Sequence, residues 1–293
     1  MLQDIIGVVT PVFLIALIGY QWIRWGQPFD NQTVASVVMT LGTPALIYTT
    51  LTQSGLAMDR LADMALATSA IMLGSLILGW LLLRLLGWNI SAYLPAIAHP
   101  NTGNMGLPMV LLAFGEAGLA LGVAYFFVNS ISQHSIGYSL SSGTLNPKQI
   151  LQQPILWAVA VSILVLATDW HMPVWFNATA EILSGLTIPA MLLLLGTSLA
   201  RLNISHLRQT LVVAIARLII CVGMALLVIN WLQLEGITAG VLVLQSAMPA
   251  AVFNYAYADR FGRDPDKVAA VVLVSTLLAV LVLPFAVGYS LGL

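Results

Sequence analysis

The sequence predicts an all-α membrane protein of ten transmembrane helices arranged as two inverted five-helix repeats. Three observations predict it. Charged residues make up 7% of the chain and hydrophobic ones 60%, with a mean hydropathy of +0.97, whereas a soluble domain carries about 25% charged residues. Cutting the chain at charged and turn residues leaves ten apolar segments close to the roughly 20 residues that span a bilayer. Prolines then recur at matching places in the two halves.

The ten segments are 5–22, 34–51, 64–83, 92–112, 117–140, 155–168, 182–199, 211–229, 237–258 and 268–291. The sixth is the shortest. The first has no basic residue before its apolar run, so it reads as a retained span and not as a cleaved signal. Links are short, and the longest, 141–153, is polar and contains Asn146-Pro147-Lys148. This divides the chain into a first repeat at 1–140, a linker at 141–153 and a second repeat at 154–293.

Orientation follows from Lys and Arg. Links on one side carry Arg24, Arg84, Lys148, Arg201, Arg208, Arg260, Arg263 and Lys267, while the other side carries Arg60 alone. The positive-inside rule makes the basic side cytoplasmic. Both termini then face outward, in a multi-pass protein of the cell inner membrane. His171, His206 and Asp169 fall in links. Trp22, Trp25, Trp88, Trp170, Trp175 and Trp231 lie near span ends, as an interfacial belt would.

The repeat is carried by Pro11 with Pro154, Pro44 with Pro189, and Pro100 with Pro249, at offsets of 143, 145 and 149. Five spans per half is odd, so the second half enters the membrane upside down. Inverted repeats with interrupted helices at corresponding positions point to the binding site of a secondary transporter.

Two spans are interrupted. The fourth contains His99-Pro100-Asn101-Thr102-Gly103-Asn104-Met105-Gly106-Leu107-Pro108, and the ninth contains Gln245-Ser246-Ala247-Met248-Pro249-Ala250-Ala251-Val252-Phe253-Asn254. Each proline lacks an N–H and clashes with the carbonyl four residues back. Pro100, Pro108 and Pro249 are therefore read as crossover prolines. Irregular backbone at membrane depth survives where protein buries it or where it lines a cavity. The two breaks are expected to face each other and form a solute site from Asn101, Thr102, Asn104, Gln245, Ser246 and Asn254. Half-helix N-termini there favour an anion. The alternative is that these side chains only tie helices together.

Three further groups are candidates for ion coupling or counter-charge. His99 and His134 lie at membrane depth, either as a proton relay or as neutral rings bonded to carbonyls. Arg217 lies inside the eighth span, either facing a substrate carboxylate or snorkelling to headgroups. Glu181 reads as interfacial. The single Cys221 and four scattered histidines make no metal or redox centre. No cofactor is implied. Nothing resembles a nucleic-acid surface, and no activated nucleophile marks an enzyme.

The run Pro100 to Pro108, followed by Phe114-Gly115, resembles the fourth-span motif of the auxin efflux carrier family. Met248-Pro249-Ala250-Ala251, then Tyr257-Ala258-Asp259-Arg260-Phe261-Gly262-Arg263-Asp264, with Ser275-Thr276 and Pro284, resembles its ninth and tenth spans. Leu195-Gly196-Thr197-Ser198-Leu199 resembles the end of its seventh. The resemblance implies a fold shared with bile-acid-type symporters. It implies a crossover of broken helices four and nine, a scaffold of spans 1, 2, 6 and 7, a mobile transport part of spans 3–5 and 8–10, and a homodimer joined through the scaffold. Asn101 matches the position that contacts the substrate carboxylate. With its short central link and Ala250-Ala251 after the second proline, the chain is similar to short bacterial members described as malonate or malate permeases. The expected function is elevator-like secondary transport of a small mono- or dicarboxylate, with a proton or sodium as coupling ion and lipid around it. The alternatives are a sodium-coupled bile-acid-type symporter, a channel, or a non-transporting sensor or enzyme.

Overall fold

The computed structural model describes residues 2–144, 146–168, 170–202 and 207–292. The expected link residues Asp169 and His206 lie outside them. The first half runs α1 (Leu2–Arg24), α2 (Asn31–Val37), α3 (Thr43–Gln53), α4 (Met58–Leu86), α5 (Ile90–Ala98), α6 (Leu107–Ser132) and α7 (Tyr138–Ser142). A short helix, α8 (Pro147–Leu151), leads to α9 (Pro154–Thr168), α10 (Val174–Leu199), α11 (Leu207–Leu232), α12 (Gly236–Ser246), α13 (Val252–Phe261) and α14 (Pro265–Leu291). Each of the ten apolar segments falls on helix: the second and fifth run through a π-helical turn from α2 into α3 and from α6 into α7, and the fourth and ninth fall on pairs of half-helices.

Among the described residues, seven stretches are long and apolar enough to cross a bilayer, and α9 and α12 are shorter apolar helices. One of the seven, Thr102–Ser142, has 41 residues. As a straight helix it would run about 60 Å, twice a bilayer core. It does not run straight. Gly115 sits at φ 66°, ψ −157°, a conformation essentially restricted to glycine. The chain folds back there: Val110 and Leu107 pack against Gly122, and the Asn129 side chain reaches Thr102. The fourth and fifth segments are thus two arms of a hairpin.

Among the described residues, three π-helical turns interrupt the helices, at Val38–Gly42, Thr102–Gly106 and Gln133–Gly137. The first two end two residues before Pro44 and Pro108. A wider i→i−5 turn, seen in Thr43 N–H to Val38 O and Leu107 N–H to Thr102 O, makes room for a ring that would collide with an α-helical carbonyl. Pro108 therefore sits in the first turn of α6 and not at a crossing, unlike the expectation for it. Helices also end where sequence chemistry ends them. Asp30 caps α2 by accepting from the Gln32 and Thr33 N–H groups, and Gly87, Gly143 and Gly262 close α4, α7 and α13 in left-handed conformation.

Helix packing forms two sets that touch where α1 meets α6 and α14, where α3 meets α6 and where α10 meets the Thr102–Gly106 turn. α1 lies against α10, and α3 against α9 and α10. The α1–α10 crossing is close because Gly19 lies on the Leu193 backbone and Gly196 on the Ala16 carbonyl. Hydrogen bonds join α3 to α10, from Tyr48 to Asn177 at 2.7 Å, Thr49 to Ser184 at 3.1 Å and Gln53 to Glu181 at 2.8 Å. In the second set α4 packs on α5, α6 and α11, α12 on α6 and α14, and α14 on α11 and α13. Large apolar side chains such as Leu14, Leu17, Leu73, Ile219, Leu281 and Phe285 stand more than half exposed. Water would not tolerate that perimeter, and lipid does. Trp25, Trp170, Trp175 and Trp231 are exposed near helix ends, where an interfacial belt places them.

Candidate functional site

The two interrupted stretches meet. Pro100 and Ala250 pair as an isolated antiparallel bridge, with the Asn101 N–H donating to Pro249 O at 2.7 Å and the Ala251 N–H to His99 O at 3.1 Å. Four half-helices converge on this crossing: α5 and α12 arrive with their C-termini, and the helices starting at Thr102 and Val252 leave with their N-termini. An extended backbone buried in lipid costs several kcal/mol for each unpaired group. Side chains here complete what the two bridging bonds leave open. Asn129 Nδ2 donates to Pro100 O at 3.0 Å, and the Ala250 N–H donates to Ser275 Oγ at 3.0 Å.

A polar stripe on the second arm of the hairpin supports the crossing, and sequence reasoning missed it. Tyr125, Asn129 and Gln133 are spaced four apart, on one helix face. Tyr125 Oη lies 3.0 Å from Ser246 Oγ, Asn129 Nδ2 donates to Thr102 Oγ1 at 2.8 Å, and Gln133 Nε2 donates to Asn254 Oδ1 at 3.0 Å. Asn254 Nδ2 in turn reaches His99 O at 3.2 Å. A polar residue every fourth position in an apolar run was the signal available for it.

The six expected site residues therefore divide. All are buried. Thr102, Ser246 and Asn254 spend their polar atoms on this frame. Asn101 Nδ2 and both amide atoms of Gln245 find no hydrogen-bond partner, although Asn101 is 4% and Gln245 0% exposed. Asn104 makes no side-chain hydrogen bond among the described residues. Gln245 sits between the hairpin arms, directly over Gly106 and near Gly122. Orphaned buried polar groups are rare and mark function, strain or a bound species. Two unpaired N–H₂ groups, of Asn101 and Gln245, against one unpaired carbonyl oxygen, that of Gln245, would suit an anion.

His99 is fully buried, with Nδ1 3.2 Å from Pro95 O and Nε2 3.0 Å from Ser132 Oγ. The first contact requires an N–H on Nδ1, and in a neutral ring the second nitrogen then accepts from the serine hydroxyl. His134 Nδ1 faces Ser130 O at 2.8 Å. Arg217 is 1% exposed, which removes the snorkelling reading, since a snorkelling head must reach the interface.

Two cavities flank the crossing where the two helix sets meet. One, of about 540 Å³, is lined by Thr49, Gln53 and Glu181 on one set and by Leu111, Glu116 and Leu119 around the hairpin tip. The other, of about 320 Å³, is lined by Thr43, Phe126, Ser130, His134, Tyr257 and Arg260. Phe126 also packs on Gly103, so one ring separates this second cavity from the Asn101–Gly106 turn. The crossing is shut off from both cavities in this conformation.

A chain built this way, with a buried crossing of broken helices inside an apolar bundle, is a membrane transporter by class. The membrane transport protein family, that of the auxin efflux carriers, matches residues 4–150 and 140–287, and the chain belongs to it. The double match fits the expected repeat. An uncharacterized transporter of Methanothermobacter thermautotrophicus is 27% identical over 94% of this chain and 95% of its own. Another, of Methanocaldococcus jannaschii, is 24% identical over 62% of this chain and 63% of its own. The protein is a multi-pass membrane protein of a transporter family, and its partner is a small-molecule substrate.

Proposed function

We propose that the chain is a secondary transporter of a small organic anion, a mono- or dicarboxylate such as malonate or malate. In this reading all ten segments cross the inner membrane with both termini outside. The helix set of α1–α3, α9 and α10 is the scaffold. The set of α4–α7 and α11–α14 carries the crossing past it, and exposes it in turn to the 540 Å³ and 320 Å³ cavities. The observation that carries the reading is the donor excess of unpaired amides at the crossing, from Asn101 and Gln245. Asn104 adds to them, while Thr102, Ser246 and Asn254 hold the frame. Arg260 in the smaller cavity gives an anion a positive approach from the cytoplasmic side, and a proton is the favoured coupling ion. A dimer joined through the scaffold is what the family resemblance implies for this reading.

Counterflow in proteoliposomes tests this. Vesicles preloaded with unlabelled malonate should accumulate labelled malonate transiently and saturably. Flux that never saturates would indicate a channel. No exchange with any of a panel of mono- and dicarboxylates, bile acids included, would remove the anion reading.

A further inference from the structure

Arg217 is a cation with no carboxylate partner among the described residues. It lies ten residues into α11, about 15 Å along the helix. Its Nε and Nη2 make no hydrogen bond, and no Asp or Glu among the described residues pairs with it. A lone charge at this depth is costly, so something else must offset it. The helix that carries it, α11, packs on both α5 and α12; Cys221, one turn on from Arg217 on the same helix face, and Tyr125 are the ionisable groups nearest in charge to it, and each marks the end of a half-helix. Cys221 Sγ donates to Ile97 O at 3.4 Å, one residue before the end of α5. Tyr125 Oη pairs with Ser246, the last residue of α12. Both α5 and α12 point their C-terminal carbonyls into the crossing.

A helix C-terminus carries about half a negative charge. Two of them converging in a low-dielectric interior make a pole of about one unit, which Arg217 matches. In transporters built from broken helices, half-helix C-termini and unwound carbonyls coordinate a bound cation. We propose that Arg217 is a tethered cation filling that electrostatic role, a positioning residue that holds the two half-helix ends together so that no free monovalent cation is needed. The inference deepens the transport reading, and rests on it only for its consequence that transport is independent of sodium.

Thermal unfolding of the purified full chain tests it without any substrate. The wild type should unfold at the same temperature in sodium chloride as in choline chloride. Arg217→Ala should be less stable in choline, and millimolar guanidinium chloride or sodium should restore about 3 °C or more to it while leaving the wild type unmoved. Arg217→Lys should keep the wild type's stability and its indifference to sodium. Three results would overturn the proposal: a wild type stabilised by sodium over choline, an Arg217→Met variant as stable as the wild type, or an Arg217→Lys variant as unstable as Arg217→Ala. If Arg217→Ala does not fold in any salt, the wild-type and Lys measurements still decide. Sodium-dependent malonate counterflow by the wild type would overturn the consequence alone, and no counterflow at all would count against the transport reading, not against this one.

Discussion

The main-chain N–H of Asn101 donates to the carbonyl of Pro249 across 2.7 Å, although the two residues stand 148 positions apart in the chain. A proline interrupts each helix beside this contact, and the strand-like bridge uses the backbone groups that the interruptions release. The side chain of the same Asn101 is left with an unpaired amide. The crossing is thus closed in its main chain and open in its side chains.

That contrast separates two substitutions of one residue type. Asn129→Ala removes the donor to Pro100 O and Thr102 Oγ1, leaving a buried carbonyl short of a partner. It should cost about 2 kcal/mol or more. Asn101→Ala removes an amide that the fold does not use, and should change stability by about 0.5 kcal/mol or less. Thermal unfolding of both variants in one detergent checks the ordering, and equal losses would contradict it.

The α1–α10 crossing depends on Gly196. A Cβ there would collide with the Ala16 carbonyl oxygen and press on the Tyr20 backbone nitrogen, neither of which can turn aside. Gly196→Val should force the helices apart and cost about 1–3 kcal/mol or more. Gly185, on the same helix with nothing near its Cβ position, is the control, and Gly185→Ala should be tolerated. A Gly196→Val protein as stable as that control would contradict the close contact.

Asp30 gives the fold a local acid sensitivity. Its carboxylate accepts from the Thr33 hydroxyl at 2.6 Å and from the N–H groups of Thr33 and Gln32, and these bonds hold its pKa below the usual carboxylate value. A depressed folded pKa adds stability that is present above the unfolded pKa of about 3.9 and is lost as pH falls through the folded value. Amide exchange at Gln32 and Thr33, corrected for intrinsic rates, should accelerate in that acid range. Asp30→Asn keeps an acceptor oxygen that does not titrate, so its exchange should show no acid step.

Much of the fold could be read from residue types alone. Pro100 and Pro249 in corresponding spans located the crossing, because a proline in lipid is informative wherever it falls. Pro108 misled for a reason the structure supplies: a π-helical turn at Thr102–Gly106 absorbs it, and such a turn leaves no mark on hydrophobic periodicity. Tyr125, Asn129 and Gln133 went unread because dividing a chain into apolar runs discards the spacing of the polar residues within them. Arg217 stayed ambiguous in sequence, since whether its head reaches the interface depends on how α11 packs against α5 and α12. The Asn101 and Gln245 amides were singled out by their place beside the prolines, but which of the six polar residues remain unpaired depends on the partners that Tyr125, Asn129 and Gln133 supply.

The central claim is that the unpaired amides at the crossing bind a carboxylate. Its most direct measurement is malonate counterflow by wild type, Asn101→Ala and Gln245→Ala in proteoliposomes, with thermal unfolding of each as a check on folding. Losing one hydrogen bond to a charged ligand corresponds to about a 10- to 100-fold loss of apparent affinity, and that loss is expected in both folded variants. Wild-type exchange that persists at full affinity in both would contradict the claim.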